Sequence, residues 1–202
     1  MIENDNMRRT TEEELYRRFQ SGDETAFEEL VRLFRGSLAR YINTFVNDYR
    51  EAEDLMIDAF AELAINAKYK EQSSLKTYLF SIGRNITLKH IRKYKSSGYL
   101  PIDKVREETE YLSNLPEMTF VAEEQKAQLH TAMRLLKQDY YEVLYLIYFE
   151  NMSYNDAGRT MKKTAVQVDH LLRRAKSSLK SILEAEEYEK RQGNCARSPA
   201  SG

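Results

Sequence analysis

The densest group of side chains able to do chemistry lies between Lys162 and Lys176, and that chemistry is recognition rather than bond breaking. Gln167 and His170 place an amide and an imidazole three residues apart, and Arg173, Arg174 and Lys176 follow within two helical turns. An exposed amide and imidazole near the start of a helix can read base edges in a major groove, and later cations neutralise phosphates. Lys163 and Thr164 stand where the chain enters that helix. A second group spans Tyr69 to Lys95. Lys89, Arg92 and Lys93 share a helical face, with Arg84 and Asn85 about one turn earlier. Upstream of them Tyr69, Lys70, Ser74, Lys76 and Tyr78 mix rings, cations and hydroxyls, as a surface for single strands would. A base turned out of its stack needs a stacking partner and a polar rim, and a loop followed by a helix start supplies both. Taken alone, the first group favours a DNA contact over a plain helical hairpin with a basic face, whereas a basic helix with a tyrosine, like the second, is more often a solvated face.

Helices must position these groups. Gly (7) and Pro (3) are scarce, which favours an all-α chain. Phe27, Leu30, Val31, Phe34, Leu38, Tyr41, Ile42 and Phe45 form a stripe at spacings of three and four, with Gly36 permitting a break midway. A second helix over about Glu51 to Tyr69 turns Leu55, Ala59, Leu63 and Ala67 inward and sets Glu51, Asp54, Asp58 and Glu62 on or beside the opposite face. Ser74 can cap a third helix reaching about Tyr94. From Ser96 to Met118 the periodicity fails around Gly98, Pro101 and Pro116. Helices resume near Phe120. Ser153 with Asp156 reads as one helix start, and Thr164 with Gln167 has capping-box spacing, so a helix-turn-helix turns near Lys162 and Lys163. In its second helix Val168, Leu171 or Leu172, and Ala175 face the core. The expected layout is an N-terminal extension over 1–20, a helical bundle over 21–95, a flexible acidic linker over 96–118, a helix-turn-helix domain over 119–187 and a disordered tail over 188–202.

Lys and Arg (31) nearly balance Asp and Glu (32), so the sum argues against a simple DNA-coating protein while the clustering points to faces for both nucleic acid and protein. His90, His130 and His170 are far apart and the single Cys195 has no partner, so no metal, cofactor or disulfide is expected. No phosphate-cradling glycine loop is present, and the paired carboxylates fall in solvated helical runs, so an enzyme is not expected. Without an apolar stretch of spanning length or a signal-like start, a cytoplasmic protein with no membrane insertion is expected.

The segments Gly22–Leu30, Glu51–Phe60 and Leu79–Asn85 resemble region two of extracytoplasmic-function sigma factors of the sigma-70 family, and Glu142–Tyr154 with the helix-turn-helix after it resembles region four. The resemblance implies an alternative sigma factor that binds core RNA polymerase and promoter DNA, with an anti-sigma protein as controlling partner. It implies that Glu51, Asp54, Leu55 and Asp58 dock on the polymerase clamp. It assigns Tyr69, Lys70, Ser74, Lys76, Arg84, Asn85, Lys89, Arg92 and Lys93 to the downstream promoter element, part of it single-stranded. It assigns Lys163, Thr164, Gln167, His170, Arg173, Arg174 and Lys176 to the upstream element as duplex. Four positions depart from the family pattern: Ile57 replaces a glutamine, Gly158 an alanine, Lys162 a turn glycine, and Asp169 opposes phosphate where a cation is tolerated. The linker carboxylates Asp103, Glu107, Glu108 and Glu110 suit a basic RNA channel or a plain spacer equally well. The alternative reading is a free-standing regulator that uses the helix-turn-helix without polymerase.

Overall fold

The computed structural model describes residues 12–65, 69–96 and 123–195, and the described residues are helices and their connections, with no strand among them. Helix α1 covers residues 12–20. It is followed by α2 (Glu24–Val46), α3 (Tyr49–Ile65) and α4 (Leu75–Ser96), which complete a first bundle. The second bundle holds α5 (Glu123–Arg134), α6 (Gln138–Leu144) running into a wide π-turn (Tyr145–Phe149), α7 (Tyr154–Met161) and α8 (Ala165–Cys195).

Helix α2 is the axis of the first bundle. Asp23 caps it by accepting the amides of Thr25 and Ala26, and Asn47 ends it in the left-handed conformation at φ 54°. Ala26, Leu30, Phe34, Leu38, Tyr41 and Ile42 are buried at the spacing the sequence predicts. Gly36 does not break the helix, which runs unbroken through 23 residues. Burial of Phe34 and Leu38 on either side of it outweighs the roughly 0.5–1 kcal/mol that an interior glycine costs. Leu55, Ala59 and Leu63 of α3 and Leu75, Leu79 and Ile82 of α4 close the core. At Gly83 an added Cβ would lie 2.9 Å from Leu38 Cδ1, so the bare backbone there lets α4 approach α2.

Two boundaries differ from the sequence expectation. Residues 12–20 are part of the first bundle rather than an extension, since Leu15 and Tyr16 of α1 are buried and Tyr16 Oη donates to the Leu63 carbonyl. At the other end α8 continues to Cys195 through the stretch expected to be a disordered tail. The run Ala185-Glu186-Glu187-Tyr188-Glu189-Lys190-Arg191 is composed largely of strong helix formers, which extend a helix already nucleated by packing. The acidic linker beyond Ser96, with Ala67, Lys68 and Phe120, lies outside the described residues.

The bundles also pack on one another, with one apolar core running through both. Tyr41 of α2 meets Tyr145 of the π-turn at 6.0 Å between ring centroids, and Tyr41 meets Phe80 of α4 at 5.1 Å. Among the described residues no helix is long and apolar enough to cross a membrane.

Candidate partner and nucleic-acid interfaces

The acidic face of α3 is a product of its inner face. With Leu55, Ala59 and Leu63 turned into the core, Glu53, Asp54, Ile57, Asp58 and Glu62 are left outside. Ile57 is 60 % exposed among carboxylates, an apolar knob on a charged surface. Two residues assigned to this face are placed otherwise. Leu55 is 4 % exposed and belongs to the core, because it falls on the same stripe as Ala59 and Leu63. Glu51 is half-buried and its Oε1 lies 2.5 Å from His90 Nε2, which ties the start of α3 to α4.

The residues assigned to a single-strand surface divide into three sets. Lys70, Asn85, Lys89, Arg92 and Lys93 are exposed, the last four along the outer side of α4. Tyr69 and Ser74 are structural: Tyr69 donates to the Ser73 carbonyl at 2.6 Å and packs against Tyr16 and Tyr78, while Ser74 caps α4 by accepting the Thr77 amide. Burial, then the negative charge of Glu13, pushes the Tyr69 hydroxyl well above the ordinary phenol range, so it stays protonated as a donor. Lys76 and Arg84 face the second bundle. Arg84 grips Glu142 with two bonds, Nε to Oε1 at 2.6 Å and Nη2 to Oε2 at 3.2 Å. Lys76 Nζ lies 2.8 Å from Glu150 Oε2 and donates to the Glu150 carbonyl at 2.9 Å.

Glu142 and Glu150 were not foreseen as site residues. Glu142 is fully buried and also accepts from Tyr41 Oη at 2.7 Å. Burial, reinforced by the Glu142 charge, pushes the Tyr41 hydroxyl far up. Burial works against the Arg84 charge, yet the hydrogen bond and charge of Glu142 outweigh it and raise Arg84. The signal was a lone carboxylate inside the apolar run Tyr140 to Phe149, a position that burial forces to find a cation.

The helix-turn-helix is built as the caps predict. Ser153 accepts the Asp156 amide at 3.1 Å to start α7. The Lys163 amide donates to the Gly158 carbonyl at 2.8 Å and the Lys162 amide to that of Arg159 at 3.3 Å, which closes the helix with Lys162 left-handed at φ 58°. Thr164 and Gln167 then cap α8 reciprocally: the Thr164 amide to Gln167 Oε1 at 2.8 Å, and the Gln167 amide to Thr164 Oγ1 at 3.2 Å. The turn explains the glycine at 158, for a Cβ there would sit 2.5 Å from the Lys163 carbonyl oxygen. Val168, Leu172 and Ala175 are buried, which resolves the choice between Leu171 and Leu172.

Gln167, His170, Arg173, Arg174 and Lys176 all reach solvent, but not equally free. The Gln167 oxygen is used by the cap, leaving its amide nitrogen to meet a base. Arg173 pairs with Asp169 at 2.7 Å, and Lys176 lies over the Tyr148 ring at 5.2 Å. Lys163 lies 3.5 Å from Asp139. Val166, 66 % exposed in the first turn of α8, was not singled out in the sequence and offers an apolar contact of the kind that meets a thymine methyl.

Comparison with known proteins follows the same division. The family model for Sigma-70 region 2 matches residues 16–97, and that for Sigma-70 region 4 matches residues 126–179. The ECF RNA polymerase sigma factor SigM of Bacillus subtilis is 24 % identical over 77 % of this chain and 93 % of its own length. The RNA polymerase sigma-H factor of Pseudomonas aeruginosa is 27 % identical over 86 % of this chain and 94 % of its own. Among solved structures, the sigma factor RpoE in complex with the anti-sigma factor NepR from Bartonella quintana shares the fold at a TM-score of 0.59 and 23 % identity, covering 78 % of this chain and 96 % of that one. CnrH in complex with the cytosolic domain of CnrY matches at a TM-score of 0.60 and 18 % identity, over 88 % of this chain and 97 % of that one. With region 2 matched on the first bundle and region 4 on the second, and relatives aligned across nearly their full lengths, the chain belongs to the sigma-70 family as a sigma factor of the ECF type.

Proposed function

We propose that this alternative sigma factor docks on core RNA polymerase through the outer face of α3, engages the displaced promoter strand with α4 and the loop before it, and reads the upstream element as duplex with α8. The observation that carries the reading is the separation of charge by helix. Asp54 and Asp58 are exposed on α3, Lys89 and Arg92 on α4, and Arg174 and Lys176 on α8. Carboxylates on one face and cations on two others suit a chain that bridges a basic protein surface and nucleic acid. Ile57 among the acids adds a desolvated apolar contact where a purely ionic face would be weak. Base recognition and melting need positioned donors and cations rather than chemistry, so no catalytic residue enters the mechanism.

Each bundle binding weakly and both binding at once gives tight attachment only when polymerase holds them together. An anti-sigma protein that covers the same outward faces would block both partners. The decisive experiment is charge reversal, Asp54→Lys with Asp58→Lys. Co-purification with core polymerase and promoter-specific run-off transcription are expected to fall by at least about 100-fold, in line with loss of two interfacial charge pairs, while the circular dichroism of the free chain is unchanged. Full transcription by the double variant overturns the docking assignment. A free-standing regulator acting through α7 and α8 alone is not favoured, because region 2 is matched across the whole of the first bundle.

A further inference from the structure

The side chains of α8 that turn away from its buried stripe are Val166, Gln167, His170, Arg173, Arg174 and Ser177. Base pairs are told apart in the major groove by which of their edges accept and which donate, so the acceptors and donors left free on this face decide what it can read. Two strong acceptors lie on or beside the face, and both are engaged within the helix. Gln167 Oε1 accepts the Thr164 amide at 2.8 Å, and only the oxygen end of a carboxamide can do so, which makes Nε2 the free end. One turn further along, the Asp169 carboxylate holds Arg173 Nη2 at 2.7 Å, with side-chain exposures of 30 and 72 %. The pairing has a direction: it draws the guanidinium toward the N-terminal turn of α8, the part of a recognition helix that meets base edges. His170 and Ser177 offer a ring nitrogen and a hydroxyl, which donate as readily as they accept.

We propose that Gln167 and Arg173 meet the groove as donors only, and that the upstream element carries a guanine opposite each. Guanine presents two major-groove acceptors side by side, O6 and N7, whereas adenine and cytosine both turn an amino group outward. A glutamine with both ends free pairs with adenine; with its oxygen held by the cap, Gln167 would meet the adenine amino group donor to donor. The Arg173 fork, steadied by Asp169, spans O6 and N7 together. The inference rests on the reading of α8 as the duplex-binding helix and adds which base that helix selects. It also gives a role to Asp169, an acid on a face that meets phosphates: it repels the backbone and turns the neighbouring cation toward the base. Gln167 and Arg173 are six positions apart. That is about 9 Å of helix, so their guanines stand roughly two or three base pairs from one another.

The test uses the full chain with core RNA polymerase. Randomised duplex fragments retained by this holoenzyme are sequenced, and the selection is repeated with Gln167→Glu and with Asp169→Asn. Gln167→Glu keeps an acceptor for the Thr164 amide, so the capping box and the fold are retained while the donors are lost. The expected result for the unaltered chain is two guanine positions in the upstream element. Preference for one should fall by at least about fivefold in Gln167→Glu, and for the other in Asp169→Asn, the lower end of what a good base contact discriminates. A merely structural role for Asp169 would weaken binding to every sequence alike, whereas the loss expected here is in the choice of base. Adenine or cytosine selected at these positions by the unaltered chain overturns the inference, and so does a guanine preference that its variant leaves unchanged. Either outcome leaves α8 standing as the duplex reader. Retained fragments with no enriched upstream sequence overturn both the inference and that reading.

Discussion

Helices α4 and α8 have similar basic sequences and opposite situations. Lys76 and Arg84 of α4 face carboxylates of the second bundle at 2.8 and 2.6 Å, whereas Arg174 and Lys176 of α8 stand in solvent. Neither helix differs in the kind of residue it offers. The difference is set by what lies opposite: α8 turns its apolar stripe inward and its cations out, while α4 is covered along its first turns by α7 and by the π-turn that ends in Glu150. A cation beside a buried carboxylate is structural before it is functional, and one on an open face is available at once. On the proposed reading, the cations of the duplex-facing helix all reach solvent, some of them paired on their own bundle, whereas two of those of the strand-facing helix are held by the other bundle.

The widest gap between the helices is expected in stability. Arg84→Ala leaves Glu142 buried without its cation and should cost about 3–5 kcal/mol. Arg174→Ala, on an exposed face, should cost less than about 0.5 kcal/mol. Urea unfolding followed by circular dichroism measures both. Equal losses would mean that the two cations occupy equivalent surroundings, and the comparison would fail.

Next is Gly158→Ala, which tests how α8 is held in place. Its Cβ meets the Lys163 carbonyl oxygen at 2.5 Å, and that oxygen belongs to backbone, so relief requires the turn to move. A loss of about 1–3 kcal/mol is expected, the usual range for overpacking, together with weaker duplex binding. The matching change on α4, Gly83→Ala, meets the side-chain methyl of Leu38 at 2.9 Å, which can rotate away, and should cost less. A harmless Gly158→Ala would show that the turn is loose.

These contrasts mark how far the sequence could be read. Periodicity located the helices because apolar spacing of three and four is a local property, and Ser153, Thr164 and Gln167 located the helix-turn-helix because caps are local too. The orientation of Gln167, half committed to its own cap, was implicit in the capping box yet compatible with base reading. What local pattern could not supply was the pairing of Arg84 with Glu142, 58 positions apart, or of Lys76 with Glu150, 74 apart. Such pairs depend on how one bundle is set against the other, and nothing in the spacing of either segment encodes that. Leu55 shows the local rule at work: the stripe it shares with Ala59 and Leu63 turns it inward, and the family resemblance alone set it beside Asp54 and Asp58 as a docking residue.

Within α8 the salt dependence of duplex binding by the holoenzyme should rank its cations. Replacing Arg174 by Ala should lower the slope of log affinity against log salt by about one, the release expected from one phosphate contact. Arg173→Ala should lower it less, because Asp169 at 2.7 Å already holds that guanidinium. Asp169→Asn should steepen the slope by freeing it. If Arg173 and Arg174 contribute alike, the Asp169 pair does not survive on DNA, and the upstream face is more open than the free chain indicates.

The smallest effect concerns the entries to the two helices. Each passes through a non-glycine residue in left-handed backbone, Glu71 at φ 54° before α4 and Lys162 at φ 58° before α8. That conformation costs an L-residue about 1–2 kcal/mol, and glycine removes the steric part while adding entropy to the unfolded chain. Lys162 is exposed, so Lys162→Gly should stabilise the protein by up to about 1 kcal/mol, a rise of roughly 2–4 °C in Tm for a chain of this size. Glu71 pairs with Arg17 of α1 at 3.1 Å, so Glu71→Gly relieves the same strain but removes a tie between α1 and the loop. Its net change should therefore be smaller. Differential scanning calorimetry of the two variants compares them directly: a larger gain at Glu71 would show that the surface pair contributes nothing, and that the entry to α4 is as free of tertiary constraint as the entry to α8.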